Sequence, residues 1–453
     1  MGQSSSAEQV SPEQREAESI AASTGALPNL QKVFSLLSDP QTHSIPIHSL
    51  QKCFEFSIER STNEESTVPK EFPVLMSHLS SSIVDLFFLT EKGGISWLEF
   101  VKGYIKCSGR TVSSASLNNL LRLFGMVSVK AGLPEKLQVV SDEDDGKISG
   151  FLLPVDIQVL LSMCWIMWWD SKKLKASSSL RDCGLPDVTH LVLSAIDSCA
   201  EADKKLDLWE ENILDMDIQL PAAKIVMWAL KTVPSLADCF GQFIHSRLSY
   251  VAAHEEKLDQ ADLFLHDISA KEMSVGHLLS SGRAWAIALT LRGTLSDEIS
   301  KACFLTAEEE TDDYLLYRSS LHGKGLSRFW SNVEGYNGPL LILISAHEAS
   351  SDARRWVIGA LIHQGLENHD TFYGSSGSLY SVSPVFHVFT PSGKEKNFVY
   401  SHLHATVKYE AYPKPVGLAF GGSSGNERIF VDEDTVRHHA CDKTYHQIIC
   451  RLT

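Results

Sequence analysis

Residues 417–434 read Gly417-Leu-Ala-Phe-Gly-Gly-Ser-Ser-Gly-Asn-Glu-Arg-Ile-Phe-Val-Asp-Glu-Asp434. Val416, Leu418 and Phe420 alternate toward one face, and Arg428 to Asp432 can form a returning strand. Between them Gly421, Gly422, Gly425 and Asn426 supply the positive-φ positions that a tight connection needs. The stretch therefore predicts a glycine-rich β-hairpin followed by an acidic triplet. Gly421-Gly422-Ser423-Ser424-Gly425 also spells G-x-S-x-G. A nucleophile elbow passes from a strand into a helix. Here a strand follows, so Ser423 reads as a loop serine.

Around this hairpin the C-terminal part of the chain is strand-rich. Strands are expected at Ala286–Leu291, Leu340–Ser345, Val385–Thr390, Asn397–Tyr400, Val416–Phe420 and Arg428–Val431. Helices are expected up to Val333 and over Ala353–Ile362. Leu340 to Ile344 is continuously apolar, as a strand covered on both faces would be. The expected fold here is a compact α+β domain, a β-sandwich with helices.

Several blocks recur in order: Leu278-Leu279; Tyr314 to Gly323 leading to Phe329-Trp330; Glu334-Gly335-Tyr336-Asn337-Gly338-Pro339; Phe372-Tyr373-Gly374-Ser375; and the hairpin with Phe420, Gly421, Gly422, Gly425, Asn426 and Arg428. Together they resemble the TLDc family. Trp330, Gly335, Gly338, Pro339, Phe372, Tyr373 and Gly374 are the further signature positions. The combination with the N-terminal features below resembles the EAK-type, mTOR-associated TLDc proteins. That resemblance implies a non-enzymatic adaptor, cytoplasmic and peripheral on the lysosomal or vacuolar membrane. It implies binding to subunits of the vacuolar proton ATPase, with TOR-pathway proteins as further partners, and a part in oxidative-stress resistance or TOR-type signalling. The family domain usually continues to a further strand. The final stretch, Cys441 to Thr453, departs from that pattern, which leads us to expect a truncated TLDc domain lacking its final strand.

Upstream the periodicity is helical. Leu27, Leu30, Val33, Leu36 and Leu37 share a face, and further helices are expected near 70–89, 96–107, 115–132, 155–169, 187–201, 219–232 and 235–252. Two loops resemble EF-hands. In the first, Gly93, Ile95 and Glu99 match positions 6, 8 and 12, but Phe88 and Lys92 replace ligands. In the second, Ser141, Glu143 and Asp145 put oxygen at positions 1, 3 and 5, while Leu152 replaces the bidentate glutamate. That loop is either a weak calcium site or a solvated acidic turn, so a weak calcium-responsive sensor is an alternative function. No other cofactor is expected.

At the N-terminus Met1-Gly2-Gln3-Ser4-Ser5-Ser6 fits N-myristoylation at Gly2. One such chain binds membranes only marginally, on the order of 10⁴ M⁻¹, so a protein partner must hold the molecule there. The expected organisation is a flexible acylated tail (1–25), a degenerate EF-hand-like helical domain (26–175), a helical extension (176–262) and the TLDc domain (263–453).

The chain has 453 residues, 43 % of them apolar, and a formal charge of −16. Such an acidic balance argues against nucleic acid and against broad attachment to anionic lipid. The best apolar run, Val159 to Trp169, is far short of the roughly 20 residues of a spanning helix and reads as a buried helix. Nine cysteines form no C-x-x-C pair and read as reduced thiols. An oxidant-protective enzyme acting through Cys303 or Cys441 is a further alternative; it needs a basic environment around the thiol. His438, His439, Cys441, His446 and Cys450 have ligand chemistry but no standard zinc spacing. Glu334, Asp432, Glu433 and Asp434 form a carboxylate set that suits solvation, acid–base work or contact with a basic partner.

Overall fold

The structure is a computed structural model that describes residues 11–58, 71–88, 93–108, 112–140, 147–175, 184–200, 216–254, 264–265, 278–304, 315–348, 351–391, 397–402, 414–432 and 446–451. The first elements are α1 (Pro12–Ser23), α2 (Leu27–Leu37), β1 (Ile45–Pro46), α3 (Ile47–Cys53), β2 (Ser57–Ile58), α4 (Phe72–Ser77), α5 (Leu79–Phe87), β3 (Gly94–Ile95), α6 (Trp97–Ser108), α7 (Ser113–Lys130), β4 (Leu137–Val139), β5 (Ile148–Leu152), α8 (Pro154–Lys175) and α9 (Thr189–Cys199). Then come β6 (Leu220–Pro221), α10 (Ala222–Thr232), α11 (Asp238–Ala253) and β7 (Phe264–Leu265). The rest are α12 (Ser281–Thr290), α13 (Thr294–Phe304), β8 (Leu315–Arg318), α14 (Ser319–His322), α15 (Leu326–Val333), β9 (Leu340–Glu348), β10 (Ser351–Ile362), β11 (His369–Tyr373), β12 (Ser378–Ser383), β13 (His387–Phe389), β14 (Val399–His402), β15 (Gly417–Phe420), β16 (Ile429–Asp432) and β17 (His446–Arg451).

The first of two compact units comprises residues 1–178, 182–185 and 217–270. Its helices start where the sequence provides for it. Ser11 caps α1 by accepting from the Gln14 amide, with Pro12 in the first turn. The α2 face Leu30, Val33 and Leu37 is buried, as its spacing predicts. Two helix–loop–helix pairs, α2/α3 and α5/α6, join through an antiparallel bridge in which buried Ile45 faces buried Ile95. Phe54, Phe88, Phe100 and Phe243 form a linked ring cluster beneath that bridge, with centroids 6.0–6.2 Å apart.

The apolar run of α8 is buried throughout its middle, and among the described residues no helix is long and apolar enough to cross a membrane. Burial of α8 extends to a charge. Asp170, 5 % exposed, accepts from Arg247 Nε and Nη2 of α11 at 2.7 and 2.9 Å.

Three expectations change here. The tail expected to be flexible over 1–25 carries α1, whose Ala17 and Ala21 are buried. The segment expected as one helix over 70–89 is two, α4 and α5, meeting at His78. An EF-hand loop is entered from a helix; here α7 stops at Lys130, Gly132 takes φ +83°, and β4 pairs with β5 through Val139 and Ile148. Ser141, Glu143 and Asp145 themselves lie outside the described residues.

The second unit takes 179–181, 186–216 and 271–453. Six strands in the order β13-β12-β10-β9-β17-β8 form one sheet, and β11-β14-β15-β16 form the other. Leu340, Ile342 and Ile344 of β9 share a core with Val399, Leu418, Phe420 and Val431 of the second sheet and with Phe329, Trp330 and Val333 of α15. This is the expected β-sandwich with helices. Leu341 and Leu343 are also fully buried on the other face of β9, so the continuous apolar run is a strand covered on both faces.

Four readings are corrected. Ala286–Leu291 is not a strand, because Ser280 accepts from the Arg283 amide and starts α12, whose residues Ala284 to Leu289 are all buried. A short run buried on every side carries no period that separates helix from strand. Ala353–Ile362 is not a helix but most of β10, paired with β9 from Trp356–Ala346 to Ile362–Leu340. β-branched Val357, Ile358 and Ile362 suit that pairing. The sheet does not want for a closing strand, since β17 hydrogen-bonds to β9 on one side and β8 on the other. Finally, α9 belongs to this unit and not to a separate helical extension over 176–262.

Candidate partner-binding site

The hairpin of β15 and β16 is built as the sequence predicts. Register runs from Gly417–Asp432 to Phe420–Ile429. The Gly421 amide donates to Phe398 O (2.8 Å), and the Arg428 amide closes the loop onto Gly421 O (3.0 Å). Gly421, Gly422 and Gly425 all have positive φ. At Gly422 a Cβ would stand 2.1 Å from Asn426 O, so glycine is a steric necessity there. Ser423 accepts the Asn426 amide through its carbonyl (2.8 Å), and the chain continues into β16. A strand–loop–strand context of this kind is no nucleophile elbow.

Alternation along the four-stranded sheet sorts its two faces. Val399, Leu418, Phe420, Ile429 and Val431 go to the core. Tyr400, Ala419 and Phe430 are paired across β14, β15 and β16 on the opposite face. Phe372 of β11 joins them, its ring 5.5 Å from that of Tyr400. Tyr400 donates to Pro415 O at 2.5 Å and is 4 % exposed, whereas Phe430 is 38 % exposed. Polar groups frame the aromatic patch. Lys414 Nζ meets Asp370 Oδ2 at 2.7 Å. Glu427 accepts the Gly425 amide at 2.6 Å. Burial, then the charges of Asp370 and Glu427, raise the Tyr400 phenol above its usual range. The Lys414 hydrogen bond lowers the exposed Asp370 carboxyl. Tyr400 and Ala419 are buried, so the accessible part of this face is Phe430, with half-buried Phe372 on the same face and a charged rim. An exposed aromatic in such a frame suits protein recognition better than turnover of a small molecule.

Behind this face a closed ring of hydrogen bonds fixes β11 to β14. The Glu367 amide donates to Tyr373 Oη (2.7 Å), and Ser401 Oγ donates to Glu367 O (2.6 Å). With its proton so used, Ser401 Oγ accepts from Tyr373 Oη (2.6 Å). Burial raises the Tyr373 phenol.

The remaining predicted positions divide clearly. Trp330 is core; Gly335 takes φ +86° directly after α15; Gly374, φ +80°, faces the Gln364 side chain. Gly338 and Pro339 lead into β9. Glu334 is exposed at the end of α15, and Asp432 ends β16. Glu433, Asp434, His438, His439, Cys441 and Gly2 lie outside the described residues. Among the described residues no three His, Cys, Asp or Glu groups are placed to hold a metal ion. Cys53, Cys107, Cys164, Cys199 and Cys239 are buried and in no disulfide, and burial raises the Cys53 thiol to about 12. Asp370, Tyr400, Lys414 and Phe430 were not singled out by the sequence. The period-two alternation of 428–432 carried the signal, but only the register places Phe430 beside Tyr400.

Residues 294–449 match the model of the TLDc domain, so the second unit carries that domain. The chain is also 29 % identical over 134 residues to Oxidation resistance protein 1 of Xenopus tropicalis. That match takes in 29 % of this chain and 13 % of the relative, so the chain spans only a small part of the relative's length.

Proposed function

We propose that this chain is a non-enzymatic adaptor whose TLDc domain binds a protein partner through the Phe372–Tyr400–Phe430 face. The TLDc match at 294–449 carries the reading. On the resemblance set out above, the partner is the vacuolar proton ATPase, at the lysosomal or vacuolar membrane, with TOR-pathway proteins as further contacts. Acylation of Gly2 supplies weak membrane attachment, and the partner supplies the rest. Similarity to a protein named for oxidation resistance supports a contribution to oxidative-stress resistance. The strand–loop–strand setting of Ser423 favours an adaptor over a serine hydrolase.

The test is affinity capture of the full chain from detergent-solubilised lysosomal or vacuolar membranes. Pump subunits should be recovered with the native chain and lost with Phe430→Asp. Failure to recover pump subunits with the native chain would remove the pump from the proposal. Equal recovery with both proteins would remove the aromatic face. A Gly2→Ala chain should shift from the membrane to the soluble fraction while keeping its capture by solubilised pump.

A further inference from the structure

α9 lies well upstream of the matched TLDc residues, yet it is fastened to the chain that enters β13 at both of its ends. In its first turn, His190 O accepts from the Phe386 amide at 3.0 Å, and the two rings meet edge-on at 6.0 Å. In its last turns, Asp197 Oδ2 lies 3.4 Å from His387 Nε2. The approach is close: a Cβ on Gly282, at the start of α12, would stand 2.0 Å from Asp187 O. Phe386 is fully buried and packs on Tyr380.

The His190 ring is the unusual component of this joint. It is 5 % exposed, and its Nε2 has no hydrogen-bond partner among the described residues. A proton added there would create a charged N–H without an acceptor. Around the ring are Asp187 from the preceding segment, Arg283 from α12, the Gly282 backbone and the uncharged Phe386. Burial is the main cause that lowers the ring from 6.5 to about 4; Arg283 pushes the same way, and Asp187 and the Gly282 backbone oppose it.

We propose that α9 is an acid-released strap, undocked from the β13 approach when His190 takes a proton. The sign follows from linkage. The docked ring titrates lower than the undocked ring, so the undocked state holds more protons between the two values. Docking is strongest above 6.5, weakens as pH falls through that value, and levels off near 4. Between pH 7.5 and 5.0 the undocking equilibrium shifts by about thirty-fold.

Hydrogen–deuterium exchange on the full chain at pH 7.5 and 5.0, corrected for intrinsic rates, tests this. Protection of 189–199 and 385–389 should fall up to about thirty-fold at pH 5.0, with β9 amides unchanged. His190→Asn, neutral at both pH values, should abolish the difference. Unchanged α9 protection in the native chain would overturn the proposal, as would acid loosening that persists in His190→Asn or spreads equally to β9. A ring titration of His190 in the selectively labelled native chain is independent of any variant. A midpoint well under 6.5 is expected; one at or above 6.5 would overturn the proposal.

Discussion

Replacing Asp170 by Asn should be among the most damaging single changes in the helical unit. The carboxylate is 5 % exposed and holds Arg247, 3 % exposed, by two bonds of 2.7 and 2.9 Å. Arg247 also lies over the rings of Phe56 and Phe243, at 4.7 and 5.5 Å. Asparagine keeps the shape but leaves the guanidinium buried without its counter-charge. Breaking such a pair costs about 3–5 kcal/mol, against a total of about 5–15 kcal/mol for a domain. In a unit of this size the midpoint should fall by roughly 2–4 °C per kcal/mol, or about 6–20 °C. The ionised pair is not itself a net source of stability. Burial raises the Asp170 carboxyl above its usual 3.8, outweighing Arg247, so stability from this group falls as pH rises from 3.8 through the raised value. It follows that Asp170→Leu with Arg247→Met should recover most of the loss. Thermal and urea unfolding of the three chains, followed by tryptophan fluorescence, gives the comparison. A loss under about 1 kcal/mol for D170N would refute the argument, as would a double variant no better than the single.

Gly422→Ala should destabilise the hairpin by about 1–3 kcal/mol, through the Asn426 O contact and φ +92°, seen as a lower melting point of the C-terminal unit. Tyr373→Phe leaves the Glu367 amide and the Ser401 hydroxyl without their shared partner, at about 1–3 kcal/mol by chemical unfolding. Ending the chain at Thr444 removes β17 from between β9 and β8, and should abolish the cooperative transition of that unit in calorimetry. Phe430→Ala should weaken partner binding at least about five-fold while leaving the melting point within about 2 °C, since the ring is 38 % exposed.

Local chemistry was legible wherever one short stretch decided the outcome. The glycines of 421–425 specify their own loop, and the apolar 340–344 run specifies a strand covered twice. Long-range pairing was less visible. Val357 and Ile358 form a strand because β9 and β12 lie on either side, and the residues preceding them gave no sign of that. β17 is defined by the gap between β9 and β8, a property of the sheet and not of residues 446–451. Full burial of α12 erased the period that would have marked a helix. Likewise α9 looks like any amphipathic helix, and only His190 and Asp197, each against a residue nearly two hundred positions away, show which unit it joins.

The central claim is that the aromatic sheet face of the TLDc domain makes a specific protein contact. Binding of purified vacuolar proton ATPase to the immobilised full chain, measured beside Phe430→Asp and Phe372→Ala of verified fold, tests it most directly. Saturable binding by the native chain and its loss in both variants is the predicted result. No binding by the native chain, or binding that both variants retain at equal strength, would contradict it.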